Sequence, residues 1–321
     1  SGSYTATGDA SSDTFSGVEN LVGSTQNDTL VGDSLDNVLN GGAGNDILDG
    51  GLGFNTANYA YTTGAVTVSL VIAGVQNTVS AGSDTLTNIQ GLIGSDFNDS
   101  LTGDGNNNWF DGGLGADTID GGTGNDTIAY ASATGGVSVT LGGGNSQSDN
   151  LTSIENLVGS VYGDTLTGDV GDNVIEGDLG NDALNGADGI DTVSYSRAVA
   201  GVTISLALAT AQNTVSAGFD TLNNFENVTG SAYADTLTGS VGANIITGGS
   251  GEDLLIGSAG SDTLAGGGGV DRVSYQGSGA VTVTINGTAV HDGYTDILTG
   301  IENLIGSAFN DTITGDAGDN V

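Results

Sequence analysis

Apolar residues along this chain recur with a period of nine. In "GGAGNDILD" (Gly41 to Asp49), "GGLGADTID" (Gly112 to Asp120) and "GGSGEDLLI" (Gly248 to Ile256), one apolar residue follows a run of glycine and polar residues. Its place is the eighth of a pattern G-G-x-G-x-D-x-U-x, with U apolar. The eighth-place file reads Leu30, Leu39, Leu48, Leu101, Phe110, Ile119, Ile128, Leu166, Ile175, Leu184, Val193, Leu237, Ile246, Leu255, Leu264, Val273 and Ile313, with Ala57 its small member. Places seven to nine read as a short strand with place eight facing inward. One such strand cannot bury its single apolar residue alone, so copies must stack. Glycine at places one, two and four permits the positive φ of a tight turn. Two nonapeptides then make one coil of about 18 residues, with parallel strands on two faces.

A second pattern interrupts the first. Apolar residues alternate at Val66, Val68 and Leu70; at Val137, Val139 and Leu141; at Val202, Ile204, Leu206 and Leu208; and at Val281, Val283 and Ile285. A period of two means strand, and no segment shows a helical period. The expected fold is all-β: a parallel β-roll, or β-solenoid, with interspersed longer strand-rich coils. A landmark such as "DTLTNIQGLIGSDFNDSLTG" starts at Asp84 and recurs from Asp149, Asp220 and Asp296, with a looser copy from Asp13. The starts are 71, 65, 71 and 76 residues apart, and one whole extra nonapeptide, Gly257 to Ala265, lengthens the last interval. Residues 1–321 are therefore expected to form one continuous solenoid of about 71-residue units. The tail "GDAGDNV" matches "GDVGDNV" (Gly168 to Val174), where the repeat runs on into Ile175, so a fragment of a longer chain is expected.

Composition changes the picture. Asp and Glu number 39 against 2 Lys plus Arg, a net charge of -37. Such a chain repels itself, yet 36% of its residues are hydrophobic, which argues against simple disorder. The two facts together point to a fold conditional on a cation. So acidic a surface excludes nucleic acid as a partner, because phosphate contacts need Lys and Arg. No run of 18 apolar residues marks a membrane span, and the absence of Cys removes disulfides and thiolate metal sites.

The candidate chemistry lies at place six, which carries Asp28, Asp46, Asp99, Asp117, Asp126, Asp164, Asp182, Asp191, Asp235, Asp253, Asp262, Asp271 and Asp311. Stacking at ~5 Å per strand puts these carboxylates in rows. Calcium takes six to eight oxygens from carboxylates and carbonyls. Exposed turn carbonyls are expected at Gly42, Gly44, Gly113, Gly115, Gly122, Gly124, Gly249, Gly251, Gly267 and Gly269. In each long unit the second nonapeptide has Asn instead: Asn37, Asn108, Asn173, Asn244 and Asn320. Since alternate nonapeptides turn on opposite sides, one row is expected to fill well with calcium and the other sparsely. Asp33, Asp104, Asp169 and Asp316, at place two of Asn-bearing repeats, are candidates to compensate.

These nonapeptides resemble the RTX, or haemolysin-type calcium-binding, repeat, over nearly the whole chain. The resemblance implies a parallel β-roll with multiple Ca2+ ions between turns, held by the motif Asp and the Gly-rich turn carbonyls. It also implies export by type I secretion and folding outside the cell.

Other recurring positions read more plainly. Glu19, Glu155, Glu226 and Glu302, with Gln90 in the remaining copy, read as surface or turn residues, and Asn20, Asn156, Asn227 and Asn303 as turn residues. Phe97, Tyr162, Tyr233 and Phe309, and separately Tyr59, Tyr130, Tyr195 and Tyr275, read as packing over coil edges, with carbohydrate stacking the sharper alternative. Trp109 stands at an outward place seven, and nothing frames a catalytic partner for His291. The chain is accordingly expected not to be an enzyme. It is read as a calcium-dependent extracellular structural or adhesive scaffold: a surface adhesin, surface layer or matrix filament. Its expected partners are calcium and either other copies of itself or cell-surface polysaccharide. The alternative is the secretion and folding module of a secreted lipase, protease or alginate epimerase.

Overall fold

A computed structural model describes residues 4–6, 13–15 and 17–321. Of the looser landmark copy from Asp13, all but residue 16 falls within the described residues. No helix occurs among them, and the strands are mostly three residues long. The chain divides into two compact units, Ser1–Val158 and Gly159–Val321.

In the first unit, strands 18 residues apart pair in parallel: Leu30 lies beside Leu48, and Leu39 beside Ala57. Two nonapeptides thus form one coil, as the period implies. One face runs through Asn20–Val22, Val38–Asn40, Thr56–Asn58, Gly91–Ile93, Trp109–Asp111, Thr127–Ala129 and Asn156–Val158, all parallel. The opposite face carries Thr29–Val31, Ile47–Asp49 and Ser83–Thr87 in one sheet. A second sheet there holds Thr67–Ser69, Ser100–Thr102, Thr118–Asp120 and Asn150–Thr152. Leu39, Ala57, Leu92, Phe110 and Ile128 form a continuous inner file on the first face, with Leu101 and Ile119 on the opposite one, all at 0% exposure.

The second unit repeats the scheme. Thr165–Thr167, Ala183–Asn185 and Phe219–Asn223 pair in parallel. Thr203–Ser205, Thr236–Thr238, Leu254–Ile256, Arg272–Ser274 and Asn303–Ile305 continue on that face. The apolar file holds there too, except that Ile313 is 50% exposed, paired with Val283 on one side.

The alternating stretches enter the stack as strands. Val66, Val68, Val202, Ile204, Val281 and Val283 are buried. The alternation stops early in one of them, since Leu208 stands 47% exposed beyond the strand Thr203–Ser205. Each of two stretches then returns through a short hairpin, Gln76–Asn77 against Ser83 and Asp84, and Gln212–Asn213 against Phe219 and Asp220. Asn20, Asn156, Asn227 and Asn303 open strands rather than turns, as does Gly91. Their place is the seventh of the motif, where the backbone has already become extended.

Because Leu101 is sealed between Val68 and Ile119, Leu101→Ala should leave a cavity and cost about 2–5 kcal/mol. Denaturant unfolding in saturating calcium measures it, and a change under about 1 kcal/mol would contradict the sealed inner file.

Candidate metal centre

The place-six side chains form hydrogen-bonded ladders. Asp46 Oδ1 accepts from the backbone N–H of Asp28 at 2.8 Å, and the N–H of Asp46 donates to Asp84 Oδ1 at 2.9 Å. On the same face, Asp117 Oδ1 caps Asp99 N–H and Asp149 Oδ1 caps Asp117 N–H. The other side of the first unit runs Asn37 to Asn55 to Gln90, then Asn108 to Asp126 to Glu155. In the second unit one file links Asp164, Asp182 and Asp220, then Asp235, Asp253, Asp271 and Glu302. The other links Asn173, Asp191 and Glu226, then Asn244, Asp262 and Asp296. A buried N–H left without an acceptor is costly, so each coil needs an oxygen from the next.

Two expectations change here. Glu155, Glu226, Glu302 and Gln90 are not idle turn residues; each stands in for the next place-six side chain. Gln serves as well as Glu because only a carbonyl-type oxygen is required. The landmark residues Asp84, Asp149, Asp220 and Asp296, not singled out as ladder members in the sequence, receive the last rung of a file. Their recurrence at intervals of 65, 71 and 76 residues was the available signal. Each is held by a buried tyrosine whose hydroxyl donates to its Oδ2: Tyr59, Tyr130, Tyr195 and Tyr275. That tyrosine column is at most 3% exposed and is closed to carbohydrate. Thr78 adds a second hydroxyl to Asp84; beside Asp296 the second partner is buried His291, whose Nε2 lies 3.0 Å from Oδ2.

The turns adopt two conformations. In one, place two has ordinary φ and its N–H donates to the place-six side chain of the same turn, as from Ser24 to Asp28 at 2.6 Å, Asp33 to Asn37 at 2.7 Å and Ser160 to Asp164 at 2.6 Å. The same bond closes the turns of Asp99, Asn108, Asn173, Asp235, Asn244, Asp311 and Asn320. Where place two is Ser, its Oγ donates to the carboxylate as well, at 2.9 Å in Ser160 and 2.8 Å in Ser231. Asp33, Asp104, Asp169 and Asp316 cap the N–H two residues on instead of reaching outward.

In the other conformation, place two has positive φ. It occurs at Gly42, Gly51, Gly113, Gly122, Asp178, Ala187, Gly249, Ser258 and Gly267, which precede Asp46, Asn55, Asp117, Asp126, Asp182, Asp191, Asp253, Asp262 and Asp271. The place-two N–H then turns away, as from Gly42 to Asn40 Oδ1 at 2.9 Å. Oδ2 of Asp46, Asp126, Asp182, Asp191, Asp253, Asp262 and Asp271 is buried with no hydrogen-bond partner. The ten glycines named above, from Gly42 to Gly269, all sit at positive φ in such turns. Place-one glycine does not, which corrects the turn model. It is glycine for space, since a Cβ on Gly121 would come within 2.6 Å of Asp126 Oδ2.

These open turns present oxygens. A Cβ on Gly44 would lie 2.6 Å from the Gln26 carbonyl of the turn before, and one on Gly42 would strike the Ser24 carbonyl. Carbonyls of one turn thus point into space kept free by glycines of the next, beside an unpaired carboxylate oxygen. Hard oxygens, mostly main-chain, suit a hard divalent cation such as calcium. Among the described residues no three Asp, Glu or His side chains converge, so a bound ion would rely on these carbonyls with about one carboxylate per turn.

Burial penalises the charged carboxylates, and neighbouring acids add to this. Asp46, Asp126, Asp191, Asp253 and Asp262 are pushed up to about 6, Asp117 to about 7 and Asp182 to about 8. The capping N–H from the previous coil opposes the shift.

This is an acid-rich parallel β-roll whose turns collect oxygen donors for cations. A family model, the RTX calcium-binding nonapeptide repeat, matches residues 22–57, 93–128, 158–193, 216–276 in overlapping copies, and 297–321. These segments cover more than half of the chain, which belongs to that family and carries sites for multiple calcium ions. No curated protein matches it.

The raised carboxylates give a sign for pH. Between the unfolded value of 3.8 and about 6 to 8, the folded chain holds more protons than the unfolded one, so its stability falls as pH rises through that window. Without calcium, the chain should be more folded at pH 4.5 than at pH 8, and saturating calcium should abolish the difference. Circular dichroism across pH, with and without chelator, checks this; greater calcium-free order at pH 8 would refute it.

Proposed function

We propose that this chain is a calcium-dependent extracellular scaffold, structural or adhesive, that is secreted unfolded by a type I route and folds on meeting calcium. The observation that carries the reading is the set of buried, unpaired carboxylate oxygens facing glycine-cleared carbonyls. Unneutralised, they oppose the fold they belong to. Metal binding free energy then becomes folding free energy, and weak sites of this kind suit the millimolar calcium found outside cells. Such a device keeps the chain unfolded until it leaves the cell.

The scaffold role, rather than catalysis, is supported by the single His being held in a buried contact with Asp296, a ladder residue. Phe97, Tyr162, Tyr233 and Phe309 stand 45–65% exposed, one on the first turn of each long unit from Asp84 onward, with Gln26 in their place in the copy from Asp13. They offer rings at intervals for a polysaccharide or for another copy of the chain.

In chelator, far-UV circular dichroism should report coil, and millimolar calcium should convert it to strand in a cooperative step. A fully folded calcium-free state at neutral pH would end the proposal. For the adhesive role, Tyr162→Ala with Tyr233→Ala should lower calcium-dependent retention on insoluble cell-surface polysaccharide, or self-association in sedimentation, by several-fold, leaving the calcium midpoint unchanged. Unaltered retention and sedimentation would remove the aromatic contact from the model.

A further inference from the structure

We infer that calcium binds only at the open turns, and that the closed turns are metal-free although five of them carry the motif Asp. The inference rests on the calcium reading above and divides its candidate residues in two.

Asp28, Asp99, Asp164, Asp235 and Asp311 belong to closed turns. Each carboxylate already accepts from the place-two N–H of its own turn and from the Ser Oγ beside it. Their negative charge is met by donors that the chain itself supplies. Serine alone does not make a closed turn. Ser258 stands at the same place, but at φ 77°, and Asp262 Oδ2 remains unpaired. The backbone at place two decides, by aiming its N–H at the carboxylate or away from it. Positive φ is unfavourable for residues other than glycine, yet Asp178, Ala187 and Ser258 adopt it.

Asn55 shows what the open turn needs. Its turn is open, with Gly51 at φ 80°, but place six is an amide. Asn55 Nδ2 donates to the carbonyls of Leu52 at 3.0 Å, Asn88 at 3.1 Å and Gly53 at 3.4 Å. The amide group thus meets carbonyls that gather around place six. Where place six is Asp, no donor is available for that role, and a cation supplies it. Asn55 is the turn in which the chain has replaced the metal by its own side chain.

Three open turns with Asp fall in the first unit (Asp46, Asp117, Asp126) and five in the second (Asp182, Asp191, Asp253, Asp262, Asp271). The chain therefore holds eight ions at these turns, three and five. Of the eight, Asp126, Asp191 and Asp262 lie in the files that begin with Asn. Turn conformation, rather than the side of the roll, then sets which sites fill, and the expectation of one full and one sparse row gives way to that rule.

Calcium bound to the 321-residue chain is counted by native mass spectrometry and equilibrium dialysis. The unaltered chain should hold eight ions at these turns, Asp126→Asn one fewer, and Asn55→Asp one more. The closed-turn variants Asp164→Asn and Asp235→Asn should keep the full count, even if their melting temperature falls. Loss of an ion in both closed-turn variants overturns the partition and leaves calcium binding itself intact. No added ion in Asn55→Asp, with its fold retained, overturns the role given to the amide. An unaltered chain that binds no calcium refutes the functional reading instead.

Discussion

The whole roll depends on one interaction: the backbone N–H at place six finds its acceptor on a side chain of the next coil. Ordinary strand pairing does not reach that N–H, because the chain is there turning between faces. An oxygen-bearing side chain one coil on must supply the bond, and the register of Leu30 on Leu48 or Leu101 on Ile119 delivers it. Asp, Asn, Glu and Gln all occupy the rung, since each carries a carbonyl-type oxygen. The choice among them sets charge, not connectivity.

Charge is where the structure incurs its cost. A carboxylate on the rung uses Oδ1 for the neighbouring coil and leaves Oδ2 to be satisfied elsewhere. A closed turn meets it locally, with an N–H and often a serine hydroxyl. Seven of the eight Asp-bearing open turns leave it buried and unpaired, and the open turn faces it with main-chain carbonyls. Protons and divalent cations are alternative remedies for that electrostatic debt, so acid and calcium should act in the same direction on folding. The chain has 39 acidic side chains against two basic ones, and no internal pairing can neutralise the excess.

The longer coils maintain the ladder where the nonapeptides pause. Asp84, Asp149, Asp220 and Asp296 accept the last rung, and buried hydroxyls surround their remaining oxygen. Tyr59 with Thr78, and Tyr195 with Thr214 nearby, supply hydroxyl partners to this carboxylate; Tyr275 with His291 takes that place in the second unit's last long coil. Recurrence of the tyrosines about one long unit apart therefore follows from terminating a file on a carboxylate, not from recognition at the surface.

Periodicity alone determined the fold. A strict nine-residue spacing of one apolar residue permits only stacked short strands, and the alternating stretches permit only more strand. It also located every place-six Asp and ten of the glycines at positive φ, at places two and four, because a tight turn has few chemical solutions. Three matters were settled only by tertiary structure. Glu155 and Gln90 join the ladder through contacts 29 and 35 residues away, which no local pattern reveals. Place-one glycine answers to a carboxylate that packs against it, not to its own φ. Whether Asp164 or Asp182 is free to meet a cation depends on the direction of a single N–H at place two. That direction is set by stacking, since Ser258 and Ser160 share a residue type and differ in backbone.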